Sequence, residues 1–580
     1  MLPSYQPLLD DLIALYGEPR GRASFTSLSA ALDAFRAAHP ELSRTDASSP
    51  AERVTERDVM LITYGDSLQG ADRAPLQVLH DFLLRHVDGV ISTVHILPFF
   101  PYSSDDGFSV IDYTAVDPAL GVWADVEHLG TDFKLMFDAV INHISAESDW
   151  FRAFKAGDPA YRDFFIVTDP AQDLSGVVRP RALPLLTAVN RDGETVHVWT
   201  TFSDDQIDLN FASPDVLLRV IDVLLAYVAH GASFIRLDAI AYLWKEPGTT
   251  CIHLEQTHRV IRLFRSLLDA VAPGVALITE TNVPHAENIS YFGDGSNEAQ
   301  LVYQFTLPPL LLHAFISQDA TRLSAWAATI QNPSPTATYF NFTASHDGIG
   351  VRPVEGILPP EEVERLLERA TAHGGAVSYK ANPDGTKSPY ELNITYFDAL
   401  SDPAGDEPLA LQARRFIASQ AIELAFIGMP GIYVHSLVGS RNWPEGVAQT
   451  GRLRSINREK LDVTQVEAAL ADPASLRSRV FTAYRNLIDI RTAHRAFHPN
   501  GAQTVLDLDP ALFALLRIAP DGSERIVAVH NVTNTIVSLD LGRVPLDGAA
   551  GFEELITGQT VAADAVIEAA PYQVLWLKAR

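Results

Sequence analysis

Cysteine is nearly absent: Cys251 is the single thiol in 580 residues, which excludes an intrachain disulfide framework. Cations are scarce. Forty-four lysines and arginines face 72 aspartates and glutamates, a formal charge of −28. A nucleic-acid-binding role would need a basic face, so that class is set aside. The acidic surplus reads as a solvated surface that leaves neutral small molecules free to bind. No uninterrupted apolar run is long enough to span a bilayer, so no membrane partner is expected. The opening Met1-Leu-Pro-Ser-Tyr-Gln-Pro lacks a basic stretch followed by a long apolar core. No signal peptide is expected there, and the cytoplasm is the expected location.

What is abundant is apolar sequence, at 47%, enough for substantial cores. The length exceeds one ordinary domain and suits a large barrel with inserts and an appendage. Apolar runs that read as strands, Val59–Tyr64, Thr93–Pro98 and Lys134–Asp138, alternate with helical stretches such as Leu76–Leu84. Further strands are expected at 231–238, Val275–Thr279, Thr338–Thr343 and Gly431–His435. This alternation predicts an α/β fold, a (β/α)8 barrel. The expected division is a helical N-terminal extension over 1–56, barrel over 57–143 and 211–347, and the end of the barrel over 401–500. Two stretches break the rhythm and read as inserted subdomains, 144–210 after the third strand and 348–400 after the seventh. Within them, Lys380–Pro389 reads as a Gly/Asn/Pro-rich loop, and Arg44–Pro50 nearer the N-terminus as a polar loop. From 501 to 580 the pattern alternates with period two and carries a Pro520-Asp-Gly522 turn, which predicts an all-β C-terminal domain.

Chemistry concentrates where apolar runs end. In Ser233-Phe-Ile-Arg236-Leu-Asp238, residues two apart on a strand share a face, so Arg236 and Asp238 project together. The cation keeps the carboxylate ionised, as a nucleophile requires. The runs ending Asp138-Ala-Val-Ile-Asn142-His143, Ile278-Thr279-Glu280 and Ala344-Ser345-His346-Asp347 also deliver acid, amide or imidazole.

Four such strand ends in this order resemble the α-amylase-type glycoside hydrolase family. Ile62-Thr-Tyr-Gly-Asp66, His95-Ile-Leu-Pro-Phe-Phe-Pro101, Ser103–Tyr113 and Asp205-Gln-Ile-Asp-Leu-Asn210 resemble its sucrose-phosphorylase branch, and within it the glucosylglycerate phosphorylases. The resemblance implies double displacement with Asp238 as nucleophile, Glu280 as general acid and Asp347 as stabiliser of the oxocarbenium-like transition state. The two reacting carboxyls are expected about 5–5.5 Å apart. It implies that Asp105, Arg454, Phe108, Phe202, Gln206, His143, His346 and Arg236 surround one glucosyl unit. Arg181 resembles the mobile-loop arginine that meets phosphate, and Tyr390 its opposing tyrosine.

The acceptor wall departs from sucrose phosphorylase. The branch there has Leu-Asp-Leu before the tyrosine, and this chain has Lys387-Ser388-Pro389. A cation replaces an acid, which favours a small acidic acceptor. Glycerate is the first expectation, making the substrate 2-O-α-glucosylglycerate and the product α-D-glucose 1-phosphate. Glycerol, fructose (sucrose) and fructose 6-phosphate remain open, as does an α-glucosidase or transglucosidase with the same acids. A binding protein without activity would have lost one of the three acids. Lys387 is the candidate cation, with Arg441 and Lys380 behind it. Inorganic phosphate is the implied co-substrate, no cofactor or metal is expected, and a homodimer is compatible with the branch. Cys251-x-His253-x-Glu255-x-x-His258 is too loosely spaced to argue for zinc.

Overall fold

A computed structural model describes residues 5–43, 49–382, 384–546 and 550–580. Most of the polar loop expected at Arg44–Pro50 lies outside them. Eight parallel strands close into a barrel: β1 (Met60–Thr63), β2 (Thr93–Ile96), β3 (Lys134–Ala139), β4 (Ala232–Leu237), β5 (Ala276–Thr279), β6 (Leu301–Tyr303), β7 (Thr338–Asn341) and β8 (Met429–Tyr433). Each pairs with its chain neighbours, and β1 closes the ring against β8. The strands are buried almost throughout, because helices cover a parallel sheet outside and side chains fill it inside. Pro214–Ala229 and Glu255–Val271 are two of those helices, each laying an apolar face on the barrel.

Two strands differ from expectation. β6 was not foreseen: it has three residues and ends in no reactive side chain. β8 begins and ends two residues before the expected Gly431–His435. Pro430, which lacks a ladder donor, reads in sequence as a boundary, yet it pairs with Asn341 inside the barrel. Val434–Leu437 turns helical instead.

The excursion after β3 contains an antiparallel pair, His143–Ser145 with Gln206–Asp208, and a hairpin, Leu186–Arg191 with Glu194–Trp199. Val177, Leu185, Trp199 and Cys251 form its small core. After β7, strands Ile349–Gly350, Lys387–Asn393 and Ala376–Ala381 form a three-stranded sheet. The stretch expected to be a loop at Lys380–Pro389 is therefore largely the tip of a hairpin, with Lys380 opposite Ser388 and Ala381 opposite Lys387. A register shift between Ser378 and Tyr379 leaves Tyr390 as the extra residue of the facing strand, a β-bulge.

At the N-terminus, helices Gln6–Tyr16 and Glu18–Ala38 cross at Gly21, where a Cβ would stand 2.7 Å from Ile13 Cα. Six antiparallel strands from Ala502 to Ala579 make the main C-terminal sheet. Its buried Arg517 donates to the carbonyls of Ala425 and His498, both at 2.8 Å. This anchors the sheet to the helix preceding β8.

Candidate active site

Parallel register carries the first ion pairs. Asp138 on β3 stands opposite Arg236 on β4, and Arg236 opposite Ile278 on β5. Arg236 reaches Asp138 Oδ1 by a short hydrogen bond and Asp238 Oδ1 at 2.7 Å, and lies 3.7 Å from Glu280 Oε1. Its guanidinium also lies near the rings of Phe108 and Tyr303, 5.7 and 5.5 Å from their centroids. Asp138 is held from the other side by His95 Nε2 at 2.6 Å, with neither residue exposed. Burial would raise the Asp138 carboxyl, but the charges of Arg236 and His95 and the hydrogen bonds from both bring it down to about 2. The cation under the cavity is thus fixed by a buried anion.

Asp238 and Glu280 end neighbouring strands and line one cavity. Ala239, directly after Asp238, adopts φ 47°, a left-handed conformation that costs a non-glycine residue about 1–2 kcal/mol. The turn aims its N–H at Glu280 Oε2, 3.2 Å away. Burial pushes the Asp238 and Glu280 carboxyls up, and neighbouring carboxylates add to this. Arg236 opposes both, but it hydrogen-bonds Asp238 and stands a full ångström further from Glu280. Burial raises Asp238 further than Glu280, whereas the hydrogen-bonded guanidinium favours charge on Asp238, so the two carboxyls titrate as one coupled pair.

Asp347 follows β7. Burial would raise it, but Arg454 at 2.6 Å and Arg458 at 3.8 Å outweigh burial and hold it below the ordinary carboxylate range. Arg454 is itself gripped by Glu391, Nε to Oε1 at 2.8 Å and Nη2 to Oε2 at 2.6 Å. Arg458 donates to the His346 carbonyl at 2.7 Å and to Asp106 at 2.6 Å.

Asp105, Phe108, His143, Phe202, Gln206 and His346 line the same cavity. Phe108 stacks on His346 with centroids 4.7 Å apart. Gln206 and His143 both contact the Phe108 carbonyl, at 2.9 and 2.8 Å. Burial drives both imidazoles down, His346 furthest because Arg458 and Arg236 add to the effect. Both are therefore neutral, suited to hydroxyls rather than anions. Asp105 and Asp106 both have φ near 50°, strain of the sort that gathers at binding turns.

Arg181 and Tyr390 close the mouth, the guanidinium 5.9 Å from the ring centroid. Lys387 is not among the lining residues and is exposed. It pairs with Ala381 at the far end of the hairpin. The structure therefore does not bring Lys387 to the cavity, where the sequence reading expected it. Arg441 is committed to Asp398 at 2.9 Å and to Gln412. Lys380 is half-buried and likewise off the lining. Cys251, His253 and His258 turn to separate partners, the Glu246 carbonyl, Tyr291 and Glu298 respectively. Sequence reading missed His95, Tyr242, Glu391 and Arg458.

The α-amylase catalytic-domain model matches residues 88–348. Over 573 residues the chain is 50% identical to the glucosylglycerate phosphorylase of Spirochaeta thermophila, covering 97% of both chains. The chain belongs to the sucrose-phosphorylase branch of the α-amylase-type glycoside hydrolase family. It is also 48% identical to the glucosylglycerate phosphorylase of Escherichia coli strain K12, over 90% of this chain and 92% of that one. Against the sucrose phosphorylase of Agrobacterium vitis the identity is 31%, over 76% and 89%. Among solved structures, the sucrose 6F-phosphate phosphorylase from Thermoanaerobacter thermosaccharolyticum superposes with a TM-score of 0.71 at 26% identity, covering 82% of this chain and 94% of that one.

Proposed function

We propose that this member of the branch is a retaining phosphorylase that cleaves 2-O-α-glucosylglycerate with inorganic phosphate, giving glycerate and α-D-glucose 1-phosphate. The observation that carries the reading is the near-full-length identity of about one half to glucosylglycerate phosphorylases, well above that to a sucrose phosphorylase.

In this reading the glucosyl ring sits on Phe108, with Asp105 and Arg454 at its far edge and His143, Phe202, Gln206 and His346 around its hydroxyls. Asp238 Oδ attacks the anomeric carbon while the Glu280 carboxyl protonates the glycosidic oxygen, and glycerate leaves. Asp347, kept ionised by its two arginines, stabilises positive charge developing on the ring. Phosphate then attacks the anomeric carbon from the vacated side, its proton passes to the Glu280 carboxylate and the bond to Asp238 breaks, so both acids are restored and configuration is retained. Arg181 accompanies the phosphate, because an anion approaching two carboxylates needs a cation.

The reading makes phosphate a co-substrate rather than a cofactor and places the enzyme in the cytoplasm. Among the described residues no cluster suited to a metal ion and no membrane-length apolar helix occurs. A homodimer is the one macromolecular arrangement proposed with it.

The test is synthesis from α-glucose 1-phosphate with glycerate, glycerol, fructose or fructose 6-phosphate as acceptor. Glycerate should give the highest kcat/KM, with phosphate released in equal amount. Preference for another acceptor overturns the substrate, and phosphate-independent hydrolysis as the main reaction overturns the reaction class.

A further inference from the structure

A buried guanidinium without hydrogen bonds is rare, because desolvating a charge is costly unless it is paired. Six arginines are buried below the surface: Arg236, Arg265, Arg352, Arg458, Arg491 and Arg517. Five of them hydrogen-bond to protein carboxylates or carbonyls. Arg352 is the exception. It is 8% exposed, and among the described residues its Nε is enclosed without a partner and its one ion pair is a loose 3.6 Å contact with the half-exposed Glu355.

Its position links it to the mouth of the cavity. Arg352 opens the short turn after strand Ile349–Gly350. The preceding residue, Val351, donates its N–H to the carbonyl of Tyr390 at 3.1 Å. Gly350 packs so closely on Asn282 that a Cβ would stand 2.6 Å from Asn282 Oδ1. Tyr390 and Asn282 both line the cavity, and Asn282 Oδ1 is itself enclosed without a partner. Burial raises the Tyr242 hydroxyl, and Arg352 is among the charges that oppose this. Burial lowers the Lys380 ammonium, and Arg352 lowers it further. Arg352 is not itself among the residues that line the cavity; the two residues before it in the chain pack on Tyr390 and Asn282, which do, so it stands directly behind that wall. Arg454, by contrast, is fully engaged by Asp347 and Glu391.

We infer that Arg352 is the cation that receives the carboxylate of the acceptor. A planar guanidinium matches a carboxylate with two parallel hydrogen bonds, which a lysine at this place would not do. The inference rests on the glycerate reading above and names the residue that makes it specific.

The test is partition of the glucosyl-enzyme. Full-length enzyme is given α-glucose 1-phosphate with a fixed concentration of glycerate, and the ratio of glucosylglycerate to free glucose is measured. Arg352→Gln should lower that ratio about 10- to 100-fold, the loss expected for hydrogen bonds to a charged group. Structural damage would slow formation of the glucosyl-enzyme and leave its partition where it was, and that outcome overturns the proposal. Glu355→Gln is a second arm that keeps the test open if Arg352→Gln does not fold. Removing the loose competing anion should raise the ratio about two- to threefold, and an unmoved ratio overturns the proposal. Wild-type enzyme that transfers to glycerate, combined with an unmoved ratio in Arg352→Gln, sinks this inference alone. Wild-type enzyme that ignores glycerate sinks the acceptor reading and this inference with it.

Discussion

Glu391→Gln is an almost isosteric change at a fully buried position, and its effect follows from three hydrogen bonds. Oε1 accepts from Gly348 N–H at 2.7 Å and from Arg454 Nε at 2.8 Å, and Oε2 accepts from Arg454 Nη2 at 2.6 Å. In the amide the carbonyl oxygen keeps the first two bonds. The NH2 group then faces Arg454 Nη2, donor against donor. One charge-assisted bond is lost, worth about 1.5–3 kcal/mol, and the buried cation loses a neutralising partner. Breaking a buried ion pair from one side costs about 3–5 kcal/mol in all. Part of that destabilises the fold, and part moves Arg454 off Asp347, which it contacts at 2.6 Å. If about half appears in the transition state, kcat/KM falls about 10- to 100-fold. The assay is phosphorolysis at saturating phosphate beside a thermal unfolding curve. Both kcat and donor KM should worsen, because Arg454 lines the cavity, contacts Asp347 and in the proposed reading also meets the edge of the glucosyl ring. Activity within twofold of wild type, with an unchanged Tm, would refute the claim that Glu391 positions Arg454.

Asp238→Asn should lower turnover by about 10^3-fold or more, at least 4 kcal/mol of barrier, while circular dichroism stays that of the wild type; residual double displacement would remove Asp238 as nucleophile. Arg181→Ala should raise the apparent KM for phosphate about 10- to 100-fold, the value of one charge-assisted contact, and slow hydrolysis of the glucosyl-enzyme far less; equal losses would make Arg181 structural. His435 is buried and its pKa falls to about 3, through burial first and then the Arg477 and Lys460 charges. The unfolded chain takes up that proton near pH 6.5 and the folded chain does not, so stability is lost as pH falls from 6.5 towards 3. At pH 5 the loss from this group is about 2 kcal/mol. His435→Asn should flatten the decline of Tm between pH 7 and 5, and an identical slope would show that the histidine is not buried neutral.

How much of this was legible in the sequence depends on range. Asp238, Glu280 and Asp347 each follow an apolar run, and the run both builds the strand and delivers the acid to its carboxyl end. Arg236 was legible through period two alone. His95 and Asp138 were quoted in motifs, but their 2.6 Å contact arises from the register of β2 against β3, which no local pattern encodes. Lys387 was read as part of a loop because Asn, Pro, Asp and Gly surround it, whereas it pairs with Ala381 and a register shift separates it from Tyr390. Glu391 and Arg352 escaped notice because neither ends a barrel strand.

Four arginines around the cavity differ in how firmly the protein holds them, and the order follows what each is asked to do. Arg236 is tied to Asp138 and Asp238, and Arg454 to Asp347 and Glu391. Both sit where the glucosyl unit and the reacting carboxylates must not shift during the two displacements, so a fixed cation is an advantage. Among the described residues Arg181 has no carboxylate partner and rests over the Tyr390 ring, a contact weak enough to exchange for an anion. Arg352 has only a loose pair with Glu355. In the proposed reading the fixed pair serves the step common to every substrate of the cavity, and the free pair serves two anions that come and go, phosphate and the acceptor carboxylate. Were one cation to serve both, phosphate and glycerate would compete for it in every turnover. Separate cations allow the acceptor to be chosen without changing how phosphate is met.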